Sequence, residues 1–178
     1  AWEKSLLTDL ESVTNITNRQ RHDDGGWVIS AMQFGLAGDV LTGGIHEYHR
    51  FDGDSVPYED HTGQKHYLQS TSSLPALLRE YDKYVERFGK PSSIWFDIDL
   101  DFATNRYEDD SILAWTEKDW KENFPVDDVK RWAVILNESN LITLSLEPWF
   151  CGGIEPCGFL AGELMRTFED HTEVFLTL

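Results

Sequence analysis

From Phe96 to Phe102 the chain alternates apolar and acidic residues without a break, Phe96-Asp97-Ile98-Asp99-Leu100-Asp101-Phe102. Successive side chains of a β-strand point to opposite faces. A strand here therefore sets Phe96, Ile98, Leu100 and Phe102 on one side and Asp97, Asp99 and Asp101 on the other. The apolar side is ready to be buried, but three carboxylates stacked on one face repel one another. Burying each ionised group alone costs several kcal/mol. A divalent cation among them removes both objections, and oxygen ligands suit Mg²⁺, Mn²⁺ or Ca²⁺. The competing arrangement is an amphipathic edge strand whose acids face solvent. The apolar content of residues 94–102 favours an inner strand, and with it the metal.

The flanking segments alternate strand and helix, the pattern of an α/β fold. Asp23-Asp24-Gly25-Gly26 reads as a turn before a helix over residues 27–36, and Asp39-Val40-Leu41-Thr42 as a short strand running into Gly43-Gly44. Residues 45–64 are polar and lack periodicity, a long loop of the kind that more often serves function than connection. Ser72 or Ser73 caps the next helix, with Pro75 in its first turn. Its apolar stripe is Leu74, Leu77, Leu78, Tyr81, Tyr84, Val85 and Phe88, and Gly89 closes it. Pro125 and Asp127-Asp128 open a helix with Val129, Trp132, Ala133 and Leu136 on one face. Residues 141–146 form a second inner strand ending at Glu147-Pro148, Gly152-Gly153 leads to a helix over 158–170, and residues 174–178 supply a last strand. In open α/β sheets ligands bind beyond the carboxyl ends of the strands, so the loops after Thr42, Asp101 and Glu147 are the candidate site walls.

The formal charge of −17, from 32 acidic and 15 basic residues, decides which partners are plausible. Such a surface repels nucleic-acid phosphates and anionic lipid and attracts metal cations and cationic substrates. No stretch approaches the roughly 18 apolar residues of a membrane span, and the first residues lack the regions of a secretory signal. Cys151 and Cys157 have no second pair with which to build a structural zinc site, and read as buried, reduced thiols of a cytoplasmic protein, with a local disulfide as the alternative. The length of 178 residues fits one domain. Ten Phe and seven Trp imply a thick aromatic core or an aromatic-walled pocket, Trp149 and Phe150 being candidates for such a wall.

The acidic strand resembles the Ser-x-Asp-x-Asp element of the arginase and ureohydrolase superfamily, with Asp97 in the place of the Ser and Asp99 and Asp101 as metal ligands. A register in which Asp97 and Asp99 are the ligands stays open. Two further matches accompany it. Thr8-Asp9 is similar to the end of the family's Asp-x-His-x-Asp motif, with His22 thirteen residues beyond Asp9 at the position of a proton-shuttling His. Glu147, at a strand end in Leu144-Ser145-Leu146-Glu147-Pro148-Trp149-Phe150-Cys151-Gly152-Gly153, matches the Glu that holds the substrate guanidinium. Together with Asp23-Asp24-Gly25-Gly26-Trp27-Val28-Ile29, these phrases look closest to the branch that includes peptide arginases, which convert arginine to ornithine in ribosomally made peptides.

The resemblance implies a three-layer α/β fold, a mostly parallel sheet with helices on both faces, as a single domain over 1–178 that is incomplete at its amino terminus. It implies a binuclear manganese hydrolase acting on an arginine-containing peptide or a small guanidino substrate and releasing urea, with an oligomer compatible. Asp9, Asp99, Asp101 and Asp97 are then the metal ligands, His22 and Glu147 the catalytic pair, and Glu147, His46 and His49 the substrate contacts. His46 and His49 follow a strand at the expected site edge; His61, His66 and His171 read as structural or solvated. The chain departs from the family where the first Asp and the His of Asp-x-His-x-Asp should stand, since Ser5 and Leu7 occupy those positions. Either the amino-terminal strand and its ligands precede Ala1 or the site is degenerate. Three rivals remain: a haloacid-dehalogenase-like phosphohydrolase using Asp97 and Asp99, a non-catalytic module binding cations or basic peptides, and a guanidine-modifying enzyme with Cys151 as nucleophile.

Overall fold

The acidic strand stops earlier than the alternation suggests, and the reason lies in the core. In a computed structural model describing residues 28, 31–32, 35–43, 56–60, 62–106 and 111–172, the strand spans Trp95–Asp99 and passes directly into a 3₁₀ turn, Leu100–Ala103. Alternation would bury Leu100 and Phe102 and expose Ala103, whereas Leu100 and Ala103 are both fully buried. Residues i and i+3 share a side in a 3₁₀ turn, so this conformation sinks both. The price is the stacking of Asp101 above Asp97 and Asp99.

The architecture is mixed α/β, and its contacts gather in two units, the described residues of Ala1–Thr42 with His49–Ser70 and those of Gly43–Tyr48 with Thr71–Leu178. The first is built on β1 (Val40–Gly43), β2 (Val56–Glu59) and β3 (Lys65–Thr71), ordered β1-β3-β2. β2 and β3 pair antiparallel, Val56 opposite Leu68 and Glu59 opposite Lys65. This hairpin corrects the reading of residues 45–64 as one long loop. Pro57 argues against an inner strand, but β2 lies at the sheet edge, where proline is tolerated. Buried Asp60 organises the turn. Its Oδ1 accepts from Thr62 N at 2.8 Å, Thr62 Oγ1 at 2.7 Å and Gln64 N at 3.0 Å, while Oδ2 meets His66 Nε2 at 3.1 Å. Upstream, Val28, Ala31 and Met32 are helical. That segment is closed by Gly35 at φ 68, with Leu36 N–H bonded to Ala31 O.

The second unit holds the acidic strand and follows the sequence expectations closely at its helix ends. Helix α1 (Leu74–Phe88) is capped by Ser73, whose Oγ accepts from Ala76 N, and closed by Gly89 at φ 83. After β4 (Trp95–Asp99) come two short antiparallel strands, β5 (Thr104–Arg106) and β6 (Ile112–Ala114), which the sequence reading did not contain. Helix α2 (Glu117–Asn123) was also missed, although Thr116 and Asp119 form a full capping box. Helix α3 (Val126–Glu138) buries Val129, Trp132, Ala133 and Leu136 as expected, together with Ile135. β7 (Leu141–Ser145) returns parallel to β4, and α4 (Ile154–Phe168) starts earlier than residue 158, because Gly152 and Gly153, at φ 84 and 126, complete the turn before it.

Of the expected mostly parallel sheet, β4 with β7 is a parallel pair, while β2–β3 and β5–β6 are antiparallel. Phe96, Ile98, Ile142 and Leu144 turn one face of the parallel pair onto the core. Phe102 sits at the centre of that core's aromatic part, edge-on to Trp115, Trp120 and Phe124 at centroid distances of 5.2, 6.3 and 6.3 Å. Trp115, Trp120, Trp132, Phe96, Phe102, Phe124 and Phe168 thus serve packing. Among the described residues no helix is long and apolar enough to cross a membrane. The strand expected over 174–178 lies outside the described residues.

Candidate functional site

A parallel pair in register brings two carboxyl ends side by side. Asp97 lies opposite Thr143 and Asp99 opposite Ser145, the last residues of β4 and β7. Each chain then delivers a further acid from the segment that follows its strand, Asp101 from the 3₁₀ turn and Glu147 two residues past β7. The candidate site is therefore the carboxyl edge of β4 and β7, where ligands of open α/β sheets bind.

Both connecting segments are tightly held. Thr104 Oγ1 donates to Asp101 O at 2.7 Å, and buried Leu100 and Ala103 pin the 3₁₀ turn from below. Past β7, Glu147 O accepts from both Phe150 N and Cys151 N at 3.0 Å, and Gly153 N donates to Pro148 O at 2.6 Å. The Glu147 carboxylate receives a bond from Ser145 Oγ at 3.3 Å. A Cβ on Gly152 would lie 2.9 Å from the backbone oxygen of Ile112, so β6 presses directly against this turn.

The acids do not share one environment. Asp97 is exposed, and Thr143 Oγ1 donates to its Oδ1; that hydroxyl in turn accepts from the Trp95 indole at 3.1 Å. Asp99 and Asp101 are half-buried, and Asp99 Oδ1 is shut off from solvent. Their field reaches Cys151, which is fully buried. Burial first, then the Cys157 thiol that hydrogen-bonds to it, then the negative charge of Asp101 and of Asp99 push the Cys151 thiol up to about 12.

That thiol stays protonated near neutral pH. A catalytic cysteine needs the opposite surroundings, accessible and electropositive, so Cys151 is a packing group here and the guanidine-modifying reading loses its nucleophile. Both cysteines are buried and unbridged, as expected. His66 is structural, held by Asp60.

The strand register thus sets Asp99 beside Ser145, which bonds Glu147, with Asp101 in the turn that follows β4, and leaves Asp97 toward solvent. The single acidic face of three aspartates is replaced by two strand acids and one turn acid. Asp9, His22, His46 and His49 lie outside the described residues. Among the described residues no group of three or more His, Cys, Asp and Glu is arranged to hold a metal ion. Hard carboxylate oxygens at a strand edge suit a cation such as Mn²⁺, so Asp99 and Asp101 fit part of such a site and would need ligands from elsewhere to complete it. Ser145 and Thr143, which support Glu147 and Asp97, were not anticipated. Their signal was the strand register, which no single segment of sequence discloses. Comparison of the chain with protein-family models, with curated proteins and with solved structures finds no match.

Proposed function

We propose that this chain carries the carboxylate half of a divalent-metal hydrolase site of the ureohydrolase kind, on a three-layer arginase-like fold, and that it hydrolyses a guanidinium, preferentially that of a peptidyl arginine, to urea and ornithine. The observation that supports this reading is the placement of Asp99, Asp101 and Glu147 at or just past the carboxyl ends of two adjacent parallel strands. Asp99 and Asp101, with Asp9, would hold Mn²⁺, which when bound supplies a water acidified to near neutral pH. Glu147 accepts a bidentate, charge-assisted pair from the guanidinium and so fixes the orientation of its carbon. As the bond from that carbon to the side-chain nitrogen breaks, His22 delivers a proton to the departing amine.

The test is calorimetric titration of the protein with Mn²⁺, paired with urea release from an arginine-containing peptide. Asp99→Asn and Asp101→Asn each weaken Mn²⁺ by more than about a hundredfold, the upper range for losing even a supporting group. Glu147→Gln raises KM by about thirtyfold or more, the equivalent of about 2 kcal/mol for one partner of a buried charge pair. A second reading is favoured by one observation: β4 ends on Asp97-Ile98-Asp99, the strand-terminal Asp-x-Asp of a phosphohydrolase. Release of phosphate and not urea would establish that reading, and bound metal with neither product would establish a binding module.

A further inference from the structure

The turn that carries Glu147 also carries the two most exposed large apolar side chains among the described residues of its unit, Trp149 and Ile154, with Leu146 and Phe150 beside them in sequence. Trp149 is 89% exposed, Ile154 82%, Leu146 56% and Phe150 47%. These four residues lie within nine positions of sequence and flank Glu147 on both sides. Nor do they sit on a slack loop. Residues 148–153 are tied by the bonds from Phe150, Cys151 and Gly153 back to Glu147 and Pro148, and braced by Ile112 against Gly152. A turn tied this closely that holds a tryptophan in water, with three more exposed apolar residues within nine positions, offers a contact surface, since grouped exposed apolar side chains mark interaction sites.

Charge selects the occupant. The four residues are interspersed in sequence with Glu147 and Glu155, in a chain of net charge −17. An apolar patch with acidic neighbours favours a ligand that is itself apolar and cationic, and the indole face adds affinity for a cation lying over it.

We infer that Leu146, Trp149, Phe150 and Ile154 form a docking surface for a peptide segment in which apolar residues flank a basic one, so that Trp149 and Phe150 set specificity for the neighbours of the side chain held by Glu147. This inference rests on Glu147 as the cation contact proposed above. It adds that the neighbours of the cation are read by contact, and it names the residues that read them.

The experiment compares two peptides on the full chain by calorimetry, acetyl-Gly-Arg-Gly-amide and acetyl-Leu-Arg-Leu-amide. The leucine peptide binds about tenfold tighter, the worth of burying roughly 50–60 Å² of apolar surface. Trp149→Ala brings the ratio of the two dissociation constants to within about twofold, and Trp149→Phe restores most of it. Trp149 is almost wholly exposed, so its replacement does not disturb the fold. Equal affinity of the unsubstituted protein for the two peptides, including no binding of either, overturns the inference. So does a ratio that Trp149→Ala leaves intact. Glu147→Gln addresses the other claim: if it weakens neither peptide while the leucine preference persists, the role of Glu147 fails and the docking surface stands.

Discussion

Replacing Gly152 by alanine tests whether the site turn is built the way its geometry implies. Two costs add. Gly152 has φ 84, a conformation that costs an L-residue about 1–2 kcal/mol. The new Cβ would also stand 2.9 Å from the Ile112 backbone oxygen. That oxygen belongs to β6, paired with β5, and cannot swing aside as a side-chain tip could. Forcing one extra carbon into such a contact costs about 1–3 kcal/mol, giving a sum of roughly 2–5 kcal/mol and a centre of about 3.5. For a chain of this length that central value lowers Tm by roughly 7–14 °C. The assay is thermal unfolding followed by the fluorescence of Trp115, Trp120 and Trp132, which are buried in the same unit as the turn. Gly158→Ala is the control. It lies in the exposed interior of α4, where an added Cβ meets nothing within 4 Å, and it raises stability by about 0.4–1 kcal/mol. If Gly152→Ala melts within about 1 °C of the parent while the control behaves as stated, the account of the turn is wrong.

Phe102→Ala removes the hub of the aromatic cluster and costs about 3–5 kcal/mol in urea unfolding; a loss below about 1 kcal/mol would mean that the cluster does not anchor the 3₁₀ turn. Asp60 is held well below the ordinary carboxylate range, first by the Thr62 hydroxyl and then by His66 and the backbone N–H groups of Gln64 and Thr62. A depressed carboxylate stabilises the folded form above its unfolded pKa of about 3.9 and loses that contribution as pH falls further. Amide exchange at Thr62 and Gln64 accelerates below about pH 4 beyond its intrinsic pH dependence, and Asp60→Asn abolishes the effect. Cys151, raised from 9.0 to about 12, adds stability below its unfolded pKa that drains away as pH climbs through that interval. At neutral pH a disulfide exchange reagent therefore labels it only as fast as the fold opens, and rapid labelling of the native protein contradicts its burial.

What could be read in the sequence was whatever is decided within one turn or one strand. Ser73, Pro75 and Gly89 bound α1 because capping is a contact between residues three or four apart. Asp127 and Asp128 mark the start of α3, and its buried stripe follows from the helical period alone. The alternation at Phe96 located β4 but overran it. The break at Leu100 is imposed by the need to bury Ala103 as well, a demand of the core that local spacing does not express. β2 was hidden by Pro57, and β5 and β6, three residues each, are too short to carry a period. In the site, the acids were individually visible. That Asp99 lies beside Ser145, and that Asp97 faces solvent while Asp99 does not, depends on pairing two segments 46 residues apart.

The pinning of residues 100–103 bears on which ion the site would accept. Leu100 and Ala103 hold the backbone of Asp101, and β4 that of Asp99, so the Cα positions of the two acids are set by packed hydrocarbon and not by a pliant loop. Acids on a fixed backbone adapt less readily to a large ion with seven or eight ligands than to a smaller octahedral cation. Under the proposed reading, the hydrocarbon beneath the acids acts as a size filter that favours Mn²⁺ or Mg²⁺ over Ca²⁺.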